Sequence, residues 1–587
     1  MNDLHERCAR LGIAPQWIGI DSITRDVPET TLRALADAFG ETHVRVPDDA
    51  IGRALARHDA PACFLTQTLH DARVWGLTCQ LGSLRSERNA GMGDFADLEA
   101  LVRVAGEVGA DFVGLNPLHA LFWADPGRIS PFSPSNRAAL NPLYLALDWI
   151  DEVRMDDAAI LAAERNRRGD LVDVPAVWNL KDALLRDAFT RSSFAKRFAF
   201  DLGRDVHALF EAVSGCMVGE GAYAGWMTWS DAYRAPNAPG VERLLKGADF
   251  HREVAFHAWL QHLANEQLAR VNRAAHEAGL RVGLYLDLAV GVSPDGSATW
   301  ADPHVSVPGV KIGAPPDPFS ATGQDWGLAP LSPTVVAENP DVFASQMAAV
   351  MRHAGAVRVD HAMALARLFL IPQDAAPMDG AYVRYPLDAM LDALSKVSHE
   401  ARCLVIGEDL GVVPEGFRDV MARRALHAYK VFWFERDAHH FHDPAHWGRD
   451  AIACVGTHDT ATLAGWWTGS DLETRRAIGQ FDDDALAYER QGRARDREAL
   501  LRAVGAQGVP GLQELSVMLH THVARAPCRM AAVQIDDALG LTAQPNMPGT
   551  TDEHPNWRRR LPVAVDALTD DPGFAAHCAA MREARPK

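Results

Sequence analysis

Eight short apolar runs, rich in valine, isoleucine and leucine, alternate with helical patterns along most of this chain. Such runs are typical of parallel strands that are buried on both faces, and helices are the usual connections between parallel strands. The pattern therefore predicts an α/β fold of the (β/α)8 TIM-barrel class. The predicted strands cover residues 75–84, 111–118, 281–290, 356–361, 404–410, 427–434, 453–459 and 530–539.

The connections between these predicted strands differ greatly in length. About 160 residues separate the second strand from the third, and about 70 separate the seventh from the eighth, far more than an ordinary loop needs. We predict large, mostly helical subdomains inserted at about 120–275 and 462–525 in a catalytic domain that spans 71–587. A small helical N-terminal region is predicted at 1–70. Insertions at the C-terminal face of a barrel build long grooves, which suit a polymeric substrate.

Charge and cysteine content argue against several kinds of function. The chain has 58 Lys and Arg against 77 Asp and Glu, a net charge of −19, which disfavours nucleic acid or an anionic membrane surface as the main partner. None of the eight cysteines forms a C-x-x-C pair, so neither a zinc site nor a disulfide framework is expected. The chain shows no signal-peptide core and no apolar run of about 18 residues. We expect a cytoplasmic protein that uses no metal and no cofactor.

Three predicted strands end on charged residues, and charged groups at the ends of several barrel strands meet on one rim. In the fourth strand side chains alternate, so Val357 and Val359 should face the helices. Arg358 and Asp360 should then point into the barrel mouth. A guanidinium beside a carboxylate keeps that carboxylate ionised, which suits a nucleophile. Taken alone, these two residues are better explained as a structural ion pair in the barrel interior.

Glu408 and Asp409 are adjacent at the end of the fifth predicted strand, so they face opposite ways if the strand is regular. One can reach the rim while the other braces the scaffold. A buried glutamate near another carboxylate has a raised pKa and can hold a proton at neutral pH, as a general acid must. An acidic pair at the start of the following helix is an alternative of similar weight.

His458 and Asp459 follow the seventh predicted strand. Asp459 could instead cap the next helix, since aspartate is favoured there. The three segments together favour a catalytic interpretation of each, because charged residues follow strands four, five and seven in order. Glycoside chemistry needs two carboxylates at one bond. Asp287 lies within the apolar third strand, where an unpaired charge is costly. We predict that it braces a site arginine, with a sugar contact as the alternative.

Several longer strings of the chain resemble one known family. They are residues 84–95 (LRSERNAGMGDF), 114–119 (GLNPLH), 130–135 (SPFSPS), 313–317 (GAPPD), 323–327 (GQDWG), 546–550 (NMPGT) and 556–560 (NWRRR). From about residue 76 onward the chain resembles the amylomaltases, or 4-alpha-glucanotransferases, glycoside hydrolase family 77 of the alpha-amylase superfamily. The resemblance also supports the count of eight barrel strands.

The resemblance implies roles for particular residues. The family's nucleophile matches Asp360, its acid/base matches Glu408 and its stabilising carboxylate matches Asp459. The family's flexible loop over the groove matches residues 313–326. The matched substrate-binding positions are Arg358, His361, His458, Asp287, Asp317, Gln324, Trp326, Phe132 and Asn116.

Two residues depart from the family pattern. Phe132 stands where the family usually has tyrosine, and Ala90 stands where tryptophan is common. A phenylalanine lacks the hydroxyl that could bind a sugar, so the affinity of acceptor or remote subsites is expected to differ. The reaction itself does not depend on either side chain.

The resemblance implies retaining transfer of α-1,4-glucan segments between maltooligosaccharides, without a cofactor. One alternative is a hydrolase of α-1,4-glucans, which shares the chemistry up to the covalent intermediate and differs only in the acceptor. The other alternative is a non-catalytic glucan-binding protein. The intact carboxylate trio argues against a binding protein.

Overall fold

The computed structural model describes residues 2–19, 21–40, 46–47, 49–316 and 322–587, and its centre is a closed barrel of eight parallel strands. Numbered one to eight in chain order, the barrel strands are Val74–Cys79, Phe112–Leu115, Gly283–Leu288, Ala356–Val359, Leu404–Gly407, Leu426–Val431, Ala451–Cys454 and Met530–Gln534. Each overlaps one predicted strand, and the prediction of a (β/α)8 barrel is confirmed.

The three strands that are predicted to end on charged site residues end earlier in the structure than the sequence predicts. The fourth strand ends at Val359, the fifth at Gly407 and the seventh at Cys454. In the fourth strand the reason is local, because His361 has a φ of 46°, in the left-handed region that strand residues do not adopt. The charged residues therefore stand mostly in the loops just beyond the strand ends. We call this ring of loops the rim.

The order of the strands around the barrel is four, five, six, seven, eight, one, two, three. Within the fourth strand, Val357 and Val359 pack in the large core that the barrel shares with its helices, whereas Ala356 packs inside the barrel. Because side chains alternate, Arg358 faces the barrel interior, as the sequence predicts. The register places it beside Asp287 of the third strand.

Helices fill the two longest connections between barrel strands. Between strands two and three lie Asp157–Arg167, Val174–Arg191, Phe194–Arg197, Leu202–Gly219, Pro239–Leu244 and Ala248–Glu277. Between strands seven and eight lie Leu463–Thr468, Ser470–Ala477, Asp483–Ala503 and Leu512–Ala524. The division of the chain into domains, with its boundaries, stays a prediction.

A second sheet of four antiparallel strands stands beside the barrel. In spatial order its strands are Ala381–Arg384, Arg367–Pro372, Val310–Ala314 and Gln324–Leu328. The last two strands flank the predicted groove loop, so this sheet carries Gln324 and Trp326. A shorter antiparallel pair joins His119–Ala120 to Asn136–Leu140.

The first elements of the N-terminal region pack against this second sheet. Their elements are the helices Asn2–Leu11, Glu29–Phe39, Ala50–Ala56 and Gln67–Asp71 and the strands Gln16–Ile18 and Thr24–Asp26. Ile13 forms a backbone bridge with Val383, and the rings of Trp17 and Phe369 meet edge to face with centroids 5.7 Å apart. These contacts attach the first part of the N-terminal region to the sheet that carries the groove loop, whereas the helix Ala50–Ala56 packs on the helices Leu387–Ala401 and Phe417–Arg423.

The remaining helices connect the other strands or close the chain. They are Phe95–Glu107, Ser297–Ala301, Pro333–Glu338, Asp341–Met351, Leu387–Ala401, Phe417–Arg423, Ile535–Ala538 and Pro572–Ala584. Phe95–Glu107 begins at a capping box, in which Asp94 accepts from the backbone of Asp97 and Asp97 accepts from that of Asp94. Across the described part of the chain, no helix combines the length and apolar character needed to cross a bilayer.

Candidate active site

Arg358 links the ends of the third and fourth strands. Its Nη1 donates hydrogen bonds to Oδ1 of Asp287 at 2.9 Å and to Oδ2 at 3.1 Å. The same nitrogen lies 2.7 Å from Oδ1 of Asp360. Arg358 and Asp287 are buried, and the positive charge of Arg358 is balanced by the carboxylates of Asp287 and Asp360 in place of water. Three predicted site residues are thereby brought into one contact group.

Glu408 is held by the backbone of two loops. Its Oε2 accepts a hydrogen bond from the N–H of His361 at 2.9 Å, and its Oε1 accepts one from the N–H of Leu410 at 2.7 Å. The left-handed turn at His361 takes the chain off the fourth strand, so its N–H bonds to Glu408 and not to a neighbouring strand. Both carboxyl oxygens are therefore fixed beside the loop that carries Asp360.

Burial raises the pKa of Glu408 to about 7. The Arg358 charge and the two backbone N–H groups oppose this rise, and the nearby charge of Asp360 adds to it. A carboxyl group with this pKa can both give and take a proton near neutral pH, which is what a general acid that later acts as a base requires.

Asp409, the neighbour of Glu408, faces the scaffold. Its Oδ1 accepts a hydrogen bond from the N–H of Tyr429 at 2.9 Å, and its Oδ2 accepts one from Nε of Arg418 at 2.6 Å. The two adjacent acids thus point to different surroundings, as predicted, although both lie beyond the end of strand five. Asp409 ties the end of strand five to strand six.

Asp459 stands at the rim after strand seven, with 43% of its side chain exposed. Nδ2 of Asn546 donates to its Oδ1 at 2.6 Å, and Nε2 of His458 lies 3.3 Å from its Oδ2. Enclosure by the protein raises the pKa of Asp459, but His458 and Asn546 outweigh it, and the pKa falls below the usual value. Asp459 is therefore an ionised carboxylate that faces the groove.

Aromatic rings surround His458. The Phe132 ring stacks on the imidazole with centroids 4.8 Å apart and planes inclined by 29°. Trp557 completes the group, with its centroid 5.4 Å from each of the other two rings. Trp557 and Asn546 are not among the predicted site residues, although both lie in strings that resemble the family.

The second sheet places two predicted groove residues beside the rim. Nε1 of Trp326 donates to Oε1 of Gln324 at 3.1 Å, and the Trp326 ring meets His361 edge to face with centroids 5.3 Å apart. Burial lowers the pKa of His361 to about 4, so its imidazole is neutral. Asp317 lies outside the described residues.

Asn116 is turned toward the scaffold. Its Oδ1 accepts a hydrogen bond from the N–H of Leu81 at 2.9 Å, and its Nδ2 donates to the carbonyl of Pro117 at 3.0 Å and to the Tyr144 hydroxyl at 3.3 Å. The residue borders the site cavity, but its amide already serves these partners. Its role in substrate binding stays a prediction.

A cavity of about 570 Å³ lies beneath these groups, and we call it the catalytic cavity. Its polar lining includes Thr78, Gln80, Asp287, Arg358, His458, Gln534 and Asp536. Gln80 follows strand one, Gln534 ends strand eight and Asp536 follows it, and none of the three is among the predicted site residues. Within the described ranges, no three His, Cys, Asp or Glu side chains come together as possible metal ligands.

Known proteins are similar to this chain in sequence over most of its length. A family model described as 4-alpha-glucanotransferase, glycoside hydrolase family 77, matches residues 79–566. A 4-alpha-glucanotransferase of Mycobacterium tuberculosis is 36% identical over 558 residues, which cover 89% of this chain and 76% of that protein. One from Haemophilus influenzae is 33% identical over 540 residues, covering 85% of this chain and 77% of that protein. The span of the family model contains every rim residue described above.

Solved structures share the fold over nearly the whole chain. An amylomaltase from Corynebacterium glutamicum has a TM-score of 0.83 at 25% identity, and the match covers 98% of this chain and 99% of that one. An amylomaltase from Streptococcus agalactiae, solved with acarbose, has a TM-score of 0.71 at 18% identity, covering 87% of this chain and 99% of that one. The second likeness concerns the fold alone.

Proposed function

This chain belongs to the 4-alpha-glucanotransferase family and is an enzyme of that class, and we propose that it moves α-1,4-glucan segments between maltooligosaccharides by a retaining double displacement. The observation that carries this proposal is a pair of carboxyl groups in unlike surroundings at the ends of strands four and five. Asp360 lies against a guanidinium, whereas Glu408 is buried and has a pKa of about 7. Unlike surroundings are what separate a nucleophile from a general acid.

Asp360 is the proposed nucleophile. Its side chain keeps 18% of its surface exposed, so a sugar in the groove can reach it, while Arg358 holds the carboxylate in place. Attack on the anomeric carbon forms a covalent glucosyl-enzyme and breaks the bond to the leaving oxygen. Asp287 supports this step indirectly, because it fixes the guanidinium that fixes Asp360.

Glu408 is the proposed acid and base. In its protonated form it gives its proton to the leaving glycosidic oxygen. In its ionised form it then takes the proton from the 4-hydroxyl of the incoming sugar, which attacks the intermediate and restores the α-linkage. This two-step mechanism predicts a separation of about 5 Å between the carboxyl groups of Asp360 and Glu408.

Asp459 is the proposed stabilising carboxylate. Asn546 and His458 hold it at the rim, so its oxygens are oriented before substrate binds. We propose that it accepts hydrogen bonds from ring hydroxyls and that its charge stabilises the positive charge that develops on the sugar. Fixed charges of this kind favour the transition state over the ground state.

We further propose that the rings around the rim bind glucose units. The stacked group of Phe132, His458 and Trp557 and the nearby Trp326 offer flat apolar faces, which pack on the apolar faces of sugars. The other substrate-binding roles that the family resemblance implies are part of this proposal. They concern Arg358, His361, Asp287, Asp317, Gln324 and Asn116.

Incubation with pure maltotriose tests the proposed function. Transfer conserves the number of glycosidic bonds, so we expect glucose and a ladder of longer maltooligosaccharides without a net rise in reducing ends. Asp360→Asn should lower the rate by several orders of magnitude, because the isosteric amide cannot act as the nucleophile. The matched control is Glu514→Gln at an exposed position in the helix before strand eight. Shorter products with rising reducing ends would indicate a hydrolase, and unchanged maltotriose would indicate a binding protein.

A further inference from the structure

Asp536 is a carboxyl group at the catalytic cavity that the proposed chemistry does not use. It stands two residues after the last residue of strand eight and lines the cavity together with Arg358, Asp287 and His458. Its side chain is partly exposed, and within the described ranges its carboxylate accepts a hydrogen bond only from its own backbone N–H. The group is therefore accessible to a ligand in the cavity and lacks a partner from the surrounding chain.

The adjacent acid shows what a scaffold role looks like in the short helix Ile535–Ala538, which contains both residues. Asp537 is buried, its Oδ1 accepts a hydrogen bond from the N–H of Leu463 at 2.7 Å, and its Oδ2 lies 3.6 Å from Nε2 of His520. Asp536 has no comparable contact. The pair therefore divides as Glu408 and Asp409 do, with one acid fixed in the scaffold and the other turned to the cavity.

The position of Asp536 around the barrel sets which part of a sugar it can meet. In the closed order, strand one lies across the barrel from strand five, and strand eight is next to strand one. Glu408 follows strand five, and as the proposed acid it must lie next to the leaving oxygen. That oxygen is bonded to the anomeric carbon of the sugar ring that stays on the enzyme. The edge of the retained ring that is remote from this oxygen then extends toward the ends of strands eight and one.

The wall at strands eight and one is suited to sugar hydroxyls. Besides Asp536 it presents the side chains of Thr78, Gln80 and Gln534 to the cavity. Burial, and secondly the charge of Asp537, raise the pKa of Asp536 to about 7, which agrees with an enclosed carboxyl that has no cation beside it. Hydrogen bonds from hydroxyls to a carboxylate are stronger than those between neutral groups.

We propose that Asp536 is a specificity-determining residue of the transfer reaction, whose carboxyl group binds hydroxyls on the remote edge of the glucosyl unit retained on the enzyme. This inference rests on the proposed function, because it needs a retained glucosyl unit. It adds a fourth carboxyl group to the three that the reaction uses. The new group binds the donor and takes no part in proton transfer.

The test uses α-maltosyl fluoride as the donor and glucose as the acceptor. Fluoride is not a sugar, so every sugar contact of this donor is on the retained side. For Asp536→Asn we expect kcat/KM for α-maltosyl fluoride to fall at least about tenfold, the loss that corresponds to one charged hydrogen bond. The KM for glucose as acceptor should stay within about twofold of the wild-type value. Asp536→Glu, which keeps the charge, should recover part of the loss.

Glu514→Gln is the matched control, and the thermal midpoint of each variant is measured alongside. The inference is overturned if Asp536→Asn matches the control in kcat/KM for the fluoride. It is also overturned if the KM for glucose as acceptor rises as much as kcat/KM for the fluoride falls. A third contrary result is a loss of activity in both Asp536→Glu and Asp536→Asn together with a lowered thermal midpoint, which indicates a structural role. Failure of the proposed function is a separate result, because the wild-type protein would then make no ladder from maltotriose.

Discussion

At the scale of single residues, the site depends on how each carboxyl group is surrounded. Arg358 contacts Asp287 and Asp360, two backbone N–H groups hold Glu408, and Asn546 with His458 holds Asp459. Three acids of similar intrinsic strength are thereby placed in unlike environments. The environment, and not the residue type, separates the proposed acid from the other two carboxyl groups.

Glu408 gives a prediction for the dependence of activity on pH. Its pKa is raised to about 7, and the protonated form is the proton donor, so kcat/KM for maltotriose should fall as pH rises through about 7. Glu408→Gln should lose about 10²- to 10⁴-fold with maltotriose and much less with α-maltosyl fluoride, because fluoride leaves without a proton. The measurement is kcat/KM as a function of pH, for maltotriose and for α-maltosyl fluoride, with the wild-type protein and with Glu408→Gln.

The control for this prediction is the pH profile of Glu514→Gln, which should match that of the wild-type protein. An alkaline decline that persists with α-maltosyl fluoride in the Glu408→Gln variant would assign the decline to another group. An equal loss on both substrates would show that Glu408 acts by positioning the donor and not by proton transfer.

At the scale of elements, short strands and sharp turns build the rim. The fourth and fifth strands have only four residues each, and the chain leaves strand four through the left-handed turn at His361. This turn supplies the N–H that holds Glu408. The sequence predicts where the charged residues stand, because buried strands are visible as apolar runs, but it does not show this turn. Histidine is not a residue that marks a positive φ as glycine does.

His361→Val and His361→Asn test the turn with a matched pair. Both variants remove the imidazole, but asparagine tolerates a positive φ whereas a β-branched side chain does not. We expect His361→Val to be about 1–2 kcal/mol less stable than His361→Asn and to have the lower kcat, because relaxation of the turn withdraws the N–H from Glu408. Urea unfolding and initial rates measure the two effects. Equal stability and equal kcat would show that the turn is not strained by the larger side chain.

At the scale of the whole molecule, distant segments meet at one groove. Phe132 comes from the connection after strand two, Trp326 from the second sheet, and Asn546 and Trp557 from the segment after strand eight. The barrel class could be predicted from periodicity, and the long helical connections after strands two and seven could be predicted from the distances between the predicted strands. The contacts of Asn546 and Trp557 and the position of Asp536 at the cavity could not, because they arise when the barrel closes and leave no local pattern in the chain.

The central claim is that Asp360 forms a covalent bond to the retained sugar. The most direct measurement is mass spectrometry of the protein after brief incubation with 5-fluoro-α-glucosyl fluoride, whose ring fluorine slows both steps while fluoride still leaves readily. We predict one added fluoroglucosyl group, located on the peptide that carries Asp360, more of it in Glu408→Gln and none in Asp360→Asn. An adduct on another residue, or no adduct in a protein that makes the ladder from maltotriose, would contradict the claim.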